Sequence, residues 1–115
     1  MIVILTALML TVSTQAEADC DKLCDRDWWK TATAADVQAE LDAGAEVAAK
    51  DQYGSTPLHE ASGNGSADGI QALLDAGADP KIKDDLNKEP WLYAQFNKKL
   101  KYVEDYWPLS IRSIN

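Results

Sequence analysis

Cys20 and Cys24 are the chain's two cysteines, and His59 is its single histidine. The cysteine spacing is C-x-x-x-C, which is neither the C-x-x-C of dithiol redox sites nor the C-x-x-C-H of haem attachment. One histidine excludes any chemistry that needs two. Cys20, Cys24 and His59 together fall one ligand short of a closed zinc site, so no metal is assigned. As a catalytic base His59 would need a nucleophile in a recognisable setting, and neither Ser55 nor Ser62 has one. The run Gly63-Asn64-Gly65-Ser66-Ala67-Asp68-Gly69 has the small residues of a phosphate loop. A phosphate cradle, however, follows a strand and brings a lysine or a matching glycine pattern. Asn64-Gly65-Ser66 is also an N-glycosylation sequon, relevant only in a eukaryotic source. Asp19, Asp21, Asp25 and Asp27 form an acidic cluster without the glycine and terminal glutamate of a calcium loop. Their expected use is to favour a helix N-terminus and to aid solubility. No catalytic residue and no cofactor is assigned, and the chain reads as a non-enzyme.

Length and charge narrow the rest. A chain of 115 residues with 46% hydrophobic residues supports one folded domain. The formal charge of −8 argues against sequence-independent nucleic-acid binding, which needs clustered Lys and Arg, and against anionic membrane surfaces. Residues Ile2 to Val12 are almost continuously apolar but too few for a membrane span of roughly 20 residues. They have the length of a signal-peptide core, and Ala16-Glu17-Ala18 supplies an A-x-A cleavage site. The expectation is a leader over residues 1–18, although no Lys or Arg precedes Lys22. The mature chain is then periplasmic or secreted, with no stable membrane insertion. In such an oxidising compartment Cys20 and Cys24 are expected to pair. Free or intermolecular thiols and a redox pair are the alternatives. A regular helix holds i and i+4 Cβ atoms about 5–6 Å apart, wider than the about 3.8 Å a disulfide prefers. The pair is therefore expected to straddle a helix start, with Asp21 as N-cap.

The elements that position these residues follow from an internal repeat. Residues 38–51, QAELDAGAEVAAKD, and residues 71–84, QALLDAGADPKIKD, are identical at nine of 14 positions at an offset of 33. The same offset maps Pro57 to Pro90, Ala61 to Ala94 and Asn64 to Asn97, and aligns Val37, Ile70 and Val103. Such a period marks a helical array. In the central unit Thr56 caps a helix with Pro57 at its first position. Gly63-Asn64-Gly65 breaks it, Ser66 caps a second helix carrying Ile70, Leu73 and Leu74, and Gly77 closes that helix in the left-handed conformation. In the first unit Thr33 and Asp36 make a box-like cap, Val37 and Leu41 face inward, and Gly44 ends the helix. Trp28 and Trp29 cannot both point inward. The outer-unit aromatics Trp28, Trp29, Trp91, Tyr93, Tyr102, Tyr106 and Trp107 are expected to seal the ends of a short stack, with an aromatic binding patch as the alternative.

The central unit, Asp51-Gln52-Tyr53-Gly54-Ser55-Thr56-Pro57-Leu58-His59-Glu60-Ala61 followed by Leu73-Leu74-Asp75-Ala76-Gly77-Ala78-Asp79, resembles the ankyrin repeat. Both the T-P-L-H-x-A core and the L-L-x-x-G-A-D ending match. The resemblance implies an all-α, ankyrin-type solenoid of about three helix-turn-helix units, a near-consensus repeat over 51–83 between degenerate capping repeats over 19–50 and 84–115. Cys24-Asp25-Arg26 and Pro90-Trp91-Leu92 replace Pro-Leu-His in the outer units, and Pro108 interrupts the last helix. The layout also looks like small periplasmic ankyrin-repeat proteins of Gram-negative bacteria. The resemblance further implies that His59 is structural, tying one loop to the next near the Thr of its own motif. It implies another protein as partner, bound through loop tips and inner helices. Carried onto this chain, the tips are Gln52, Tyr53 and Ser55, then Asp85, Leu86 and Lys88. Gly63 and Asn64, with their counterparts Phe96 and Asn97, end the inner helices. Tyr53 and Leu86 stand out as apolar bodies at turn positions, whereas Lys98, Lys99 and Lys101 read as a solvated face. The resulting expectation is a monomeric, exported, non-catalytic protein-binding module. An immunity or accessory factor stabilising one exported enzyme is the runner-up, and a thiol-based redox protein using Cys20 and Cys24 is a weaker third.

Overall fold

The computed structural model describes residues 20–100. The leader reading for residues 1–18 lies outside them, as do Asp19, Lys101, Tyr102, Val103, Tyr106, Trp107 and Pro108. Among the described residues all regular structure is helical. A 3₁₀ turn, Asp21–Cys24, is followed by α1 (Arg26–Trp29), α2 (Ala34–Asp42), α3 (Pro57–Asn64), α4 (Ala67–Asp75) and α5 (Pro90–Ala94). Helices α1, α3 and α5 pack side by side as an inner layer, and α2 packs on α4 in an outer one. The molecule is a short all-α solenoid.

The repeat register carries through to atoms. Helices α2 and α4 begin and end 33 residues apart. Gln38 donates to Asp42 at 2.9 Å, and Gln71 repeats the bond to Asp75 at 2.8 Å. Thr33 and Asp36 close the expected capping box, and Ser66 accepts from the Gly69 amide at 3.2 Å. Gly44 and Gly77 follow these helices at φ of 106° and 99°. Val37, Leu58, Ala61, Ile70, Leu73 and Ala94 are buried between the layers, while Leu41 only packs against their edge.

Trp29 joins the first unit to the second. It is fully buried, and Trp28, crossing it edge-on, is half-buried. Its ring lies against Gly65 and Gly69, where an added Cβ would come within 2.8 and 3.0 Å of it. Its indole N–H donates to the Leu23 carbonyl at 2.7 Å. The expectation that it seals an end of the stack is thus corrected: it fills a seam inside it, because two glycines of the second unit leave a ring-sized gap.

The ends depart from the repeat in definable ways. Asp21 is not an N-cap, as it adopts φ 40° inside the 3₁₀ turn. Cys20 occupies the N-cap position without a side-chain capping bond. The carboxylate that caps is Asp25, whose Oδ1 accepts from the amides of Asp27 and Trp28 at 2.9 and 3.4 Å. A cap four residues late leaves one turn for α1. At the other end α5 stops at Ala94, and Asn97 turns inward instead of extending it.

Candidate functional site

Two loops project from the inner layer, and one hydrogen-bond plan builds both. In the first, Asp51 Oδ1 accepts from the amides of Tyr53 and Ser55 at 2.8 and 3.0 Å, and the Asp51 amide donates to the Ser55 carbonyl at 3.0 Å. In the second, Asp84 Oδ1 accepts from Leu86 and Lys88, both at 2.9 Å, and the Asp84 amide donates to the Lys88 carbonyl at 3.0 Å. An aspartate bonding its own backbone two residues on is the local reason each chain turns. Gly54 and Asn87 occupy the same register position with φ of 75° and 63°, a region open to glycine and tolerated by asparagine. The Asp85 amide then donates to the Tyr53 carbonyl at 3.0 Å, joining loop to loop.

His59 ties the same loops from below. Its Nδ1 lies 3.1 Å from the Thr56 amide and 2.9 Å from the Thr56 hydroxyl. An amide can only donate, so Nδ1 accepts and the neutral ring carries its proton on Nε2. That proton is donated to the Lys88 carbonyl at 2.8 Å. Both ring nitrogens are committed to the backbone, which is the structural role expected of this residue.

The six tip positions do not behave alike. Gln52, Tyr53, Asp85, Leu86 and Lys88 are exposed, with Tyr53 at 65% and Leu86 at 68%. Ser55 is a correction: it is 9% exposed, turned under the loop by the bonds that Asp51 makes. Asn97 is another. It is buried, and its amide group donates to the Ser62 and Gly65 carbonyls at 2.9 and 2.8 Å. Its neighbour Phe96, the counterpart of Gly63, is 81% exposed.

Below the tips the inner helices frame a cleft of about 240 Å³, walled by Arg26, Glu60, Gly63, Tyr93 and Phe96. Arg26 Nε stands 3.8 Å from Glu60 Oε1, with the arginine side chain 70% exposed and the glutamate 12%. Burial pushes the Glu60 carboxyl above the usual carboxylate range; Arg26 opposes this, while Asp51 and Asp25 add to it. The Tyr93 hydroxyl donates to Asp84 Oδ2, which fixes the ring, and Lys88 Nζ sits 5.9 Å from its centroid. Burial and that carboxylate push the tyrosine up to about 12.

Two further features lie beside this face. Cys20 and Cys24 stand at disulfide distance, with Cα atoms 5.1 Å apart. Their sulfurs lie 3.6 Å from the Ala49 carbonyl and 3.8 Å from that of Ser55. Lys99 is no idle surface cation. Its ammonium donates to the carbonyls of Lys30, Asn64 and Trp29 at 2.7, 2.9 and 3.4 Å, gathering the C-terminal ends of α1 and α3. A cation is favoured at such ends. The equivalent position one repeat earlier is Ser66, so the register gave no hint of it.

Residues 40–90 match the family model described as ankyrin repeats (many copies). A comparison with curated proteins finds no match.

Proposed function

The chain belongs to the ankyrin-repeat family, and from that premise we propose that it is a non-catalytic module that holds another protein on its loop tips and inner-helix face. Ankyrin repeats are generally protein–protein interaction modules. The observation that carries the reading is the presentation of Tyr53 and Leu86. Two large apolar side chains stand exposed on loops whose backbones are bonded internally, to each other and to His59. Such preorganisation lowers the ordering entropy lost on binding, and apolar anchors of this kind act as hot spots. The proposal places the protein in the periplasm or outside the cell, with residues 1–18 removed and Cys20 joined to Cys24. The Cα separation of 5.1 Å between the two cysteines supports their pairing. The acidic balance favours a narrower version, an accessory factor for one exported partner with a basic contact face, since complementary charge speeds encounter.

The test is capture of partners from the native compartment by the tagged chain, beside a Tyr53→Ala/Leu86→Ala variant of equal thermal stability. A partner held by the wild type and lost by the variant supports the reading. A partner held equally by both removes the loop tips from it. Intact mass of the recovered chain reads leader removal and cysteine oxidation in the same sample.

A further inference from the structure

The cleft beneath the loops holds a carboxylate whose only ionic partner among the described residues is loosely attached. Glu60 is largely buried, yet Arg26 meets it through one nitrogen at 3.8 Å and leaves most of its own side chain in solvent. A well-made arginine–carboxylate pair is bidentate and nearer 2.7–2.9 Å. Asp25 and Asp51 add negative charge around Glu60, as its titration also registers. The cleft floor is Gly63, where an added Cβ would touch only Tyr93. One wall is the Tyr93 ring, held in place by Asp84, and another is Phe96, 81% exposed. An under-satisfied buried carboxylate beside two aromatic faces, on a chain of charge −8, has the chemistry to receive a planar cation.

Resting on the protein-binding reading above, we propose that this cleft receives one arginine side chain of the partner, which pairs with Glu60 between Tyr93 and Phe96 and displaces Arg26. Arginine fits better than lysine. Its guanidinium offers two parallel N–H groups to the carboxylate and a flat face to the rings. Arg26 already presents the same group from within the chain, so it acts as a placeholder that keeps the carboxylate from standing unpaired. The bound state exchanges one long monodentate contact for a closer pair without leaving a charge buried alone. It also recruits Phe96, which the free chain leaves in water.

The experiment uses the full chain, ¹⁵N-labelled, titrated with a capped alanine–arginine–alanine tripeptide and followed by amide chemical shifts. The control probe is the same peptide with citrulline, which keeps the shape and removes the charge. Saturable shifts centred on Gly63, Asn64 and Phe96 are expected, about tenfold weaker with citrulline. Glu60→Gln should weaken binding by a similar factor, and Phe96→Ala, at an exposed position, should weaken it without disturbing the fold. Arg26→Ala should tighten it up to about fivefold, the reach of a surface ion pair. Equal binding of arginine and citrulline peptides, no saturable shift, or weaker binding by Arg26→Ala would each overturn the proposal. If a captured protein depends on Tyr53 and Leu86 but is indifferent to Glu60→Gln, the cleft proposal fails while the protein-binding reading stands.

Discussion

Gly63 and Gly65 stand two residues apart, and a methyl group added at each is expected to move stability in opposite directions. A Cβ at Gly65 would lie 2.8 Å from Cε3 of Trp29 and 2.9 Å from the carbonyl oxygen of Ala61. Neither neighbour has room to retreat. The tryptophan is fully buried and tethered to Leu23 at 2.7 Å. The Ala61 carbonyl accepts the Gly65 amide itself, also at 2.7 Å. Gly65 has φ −92°, so alanine loses no special backbone conformation there, and the penalty is contact alone. Overpacking of this kind costs ~1–3 kcal/mol. Gly63 lies inside α3, and its added Cβ would meet only Tyr93 Cβ at 3.6 Å, an ordinary contact. Alanine in place of glycine within a helix stabilises by ~0.5–1 kcal/mol. The two variants should therefore differ by about 1.5–4 kcal/mol. At ~4–8 °C per kcal/mol for a small domain, they separate by at least about 6 °C in Tm. Urea and thermal unfolding followed by far-UV circular dichroism is the suitable assay, since tryptophan fluorescence would report the displaced ring itself. A Gly65→Ala variant as stable as the wild type, or two variants shifting in the same direction, would refute the seating of Trp29 against the second unit.

The remaining predictions concern the loop ties. His59→Ala strands the Thr56 amide and leaves the Lys88 carbonyl with the Asp84 amide alone, so a loss of about 1–3 kcal/mol is expected in urea unfolding; a loss under ~0.5 kcal/mol would mean that the ring does not join the loops. The Tyr93–Asp84 pair sets a pH window. Burial and the Asp84 carboxylate raise the tyrosine to about 12, so its contribution is full below the usual ~10 and lost as pH climbs through the raised value. Desolvation works against the Asp84 carboxylate, but hydrogen bonds from Tyr93, Lys88 and Leu86 outweigh it and hold the group below its ordinary range. Its contribution is full above ~3.9 and lost as pH falls through the lowered value. Tyr93→Phe should flatten the alkaline limb of a stability–pH curve measured by denaturation, and an unchanged limb would refute the pairing.

The repeat itself was plain in the chain because two mechanisms left the same marks at the same offset. Thr33 and Ser66 cap outer helices, and Gly44 and Gly77 end them, because capping and left-handed closure each demand a small set of residues. The loop plan was less visible. Asp51 and Asp84 sit at the end of the duplicated segment, and aspartate is a turn former, yet residue type does not say that the resulting loop turns Ser55 under. Contacts between units are harder still. Trp29 meets Gly65 and Gly69 across more than thirty residues, and that fit depends on the missing volume of two glycines, one read locally as a helix breaker and the other as part of a phosphate-loop-like run. Lys99 and Asn97 act on carbonyls at the ends of other helices, and backbone groups carry no sequence signal. The terminal units misled for one reason. Asp25 offers a stronger cap than Leu23, which stands where the central unit has Thr56, so α1 starts late and the repeat register slips.

Comparing one register position through the units shows what this stack leaves for a partner. Arg26, His59 and Leu92 are equivalent by the 33-residue offset. Arg26 reaches forward to Glu60, and His59 reaches forward to the Lys88 carbonyl. Asn97 and Lys99 reach back to carbonyls of the earlier units. The polar ties between units thus run through inner-helix side chains and loop backbones. Side chains at the tips take no part in them. That division explains why Tyr53 and Leu86 can stand at 65% and 68% exposure on segments that are themselves held firmly. It also sets apart Arg26–Glu60, which among the described residues joins two units through two charged side chains, at 3.8 Å. The ties made by His59, Asn97 and Lys99 end on backbone, so Glu60 is a place where an outside cation can substitute for an internal one without undoing the fold.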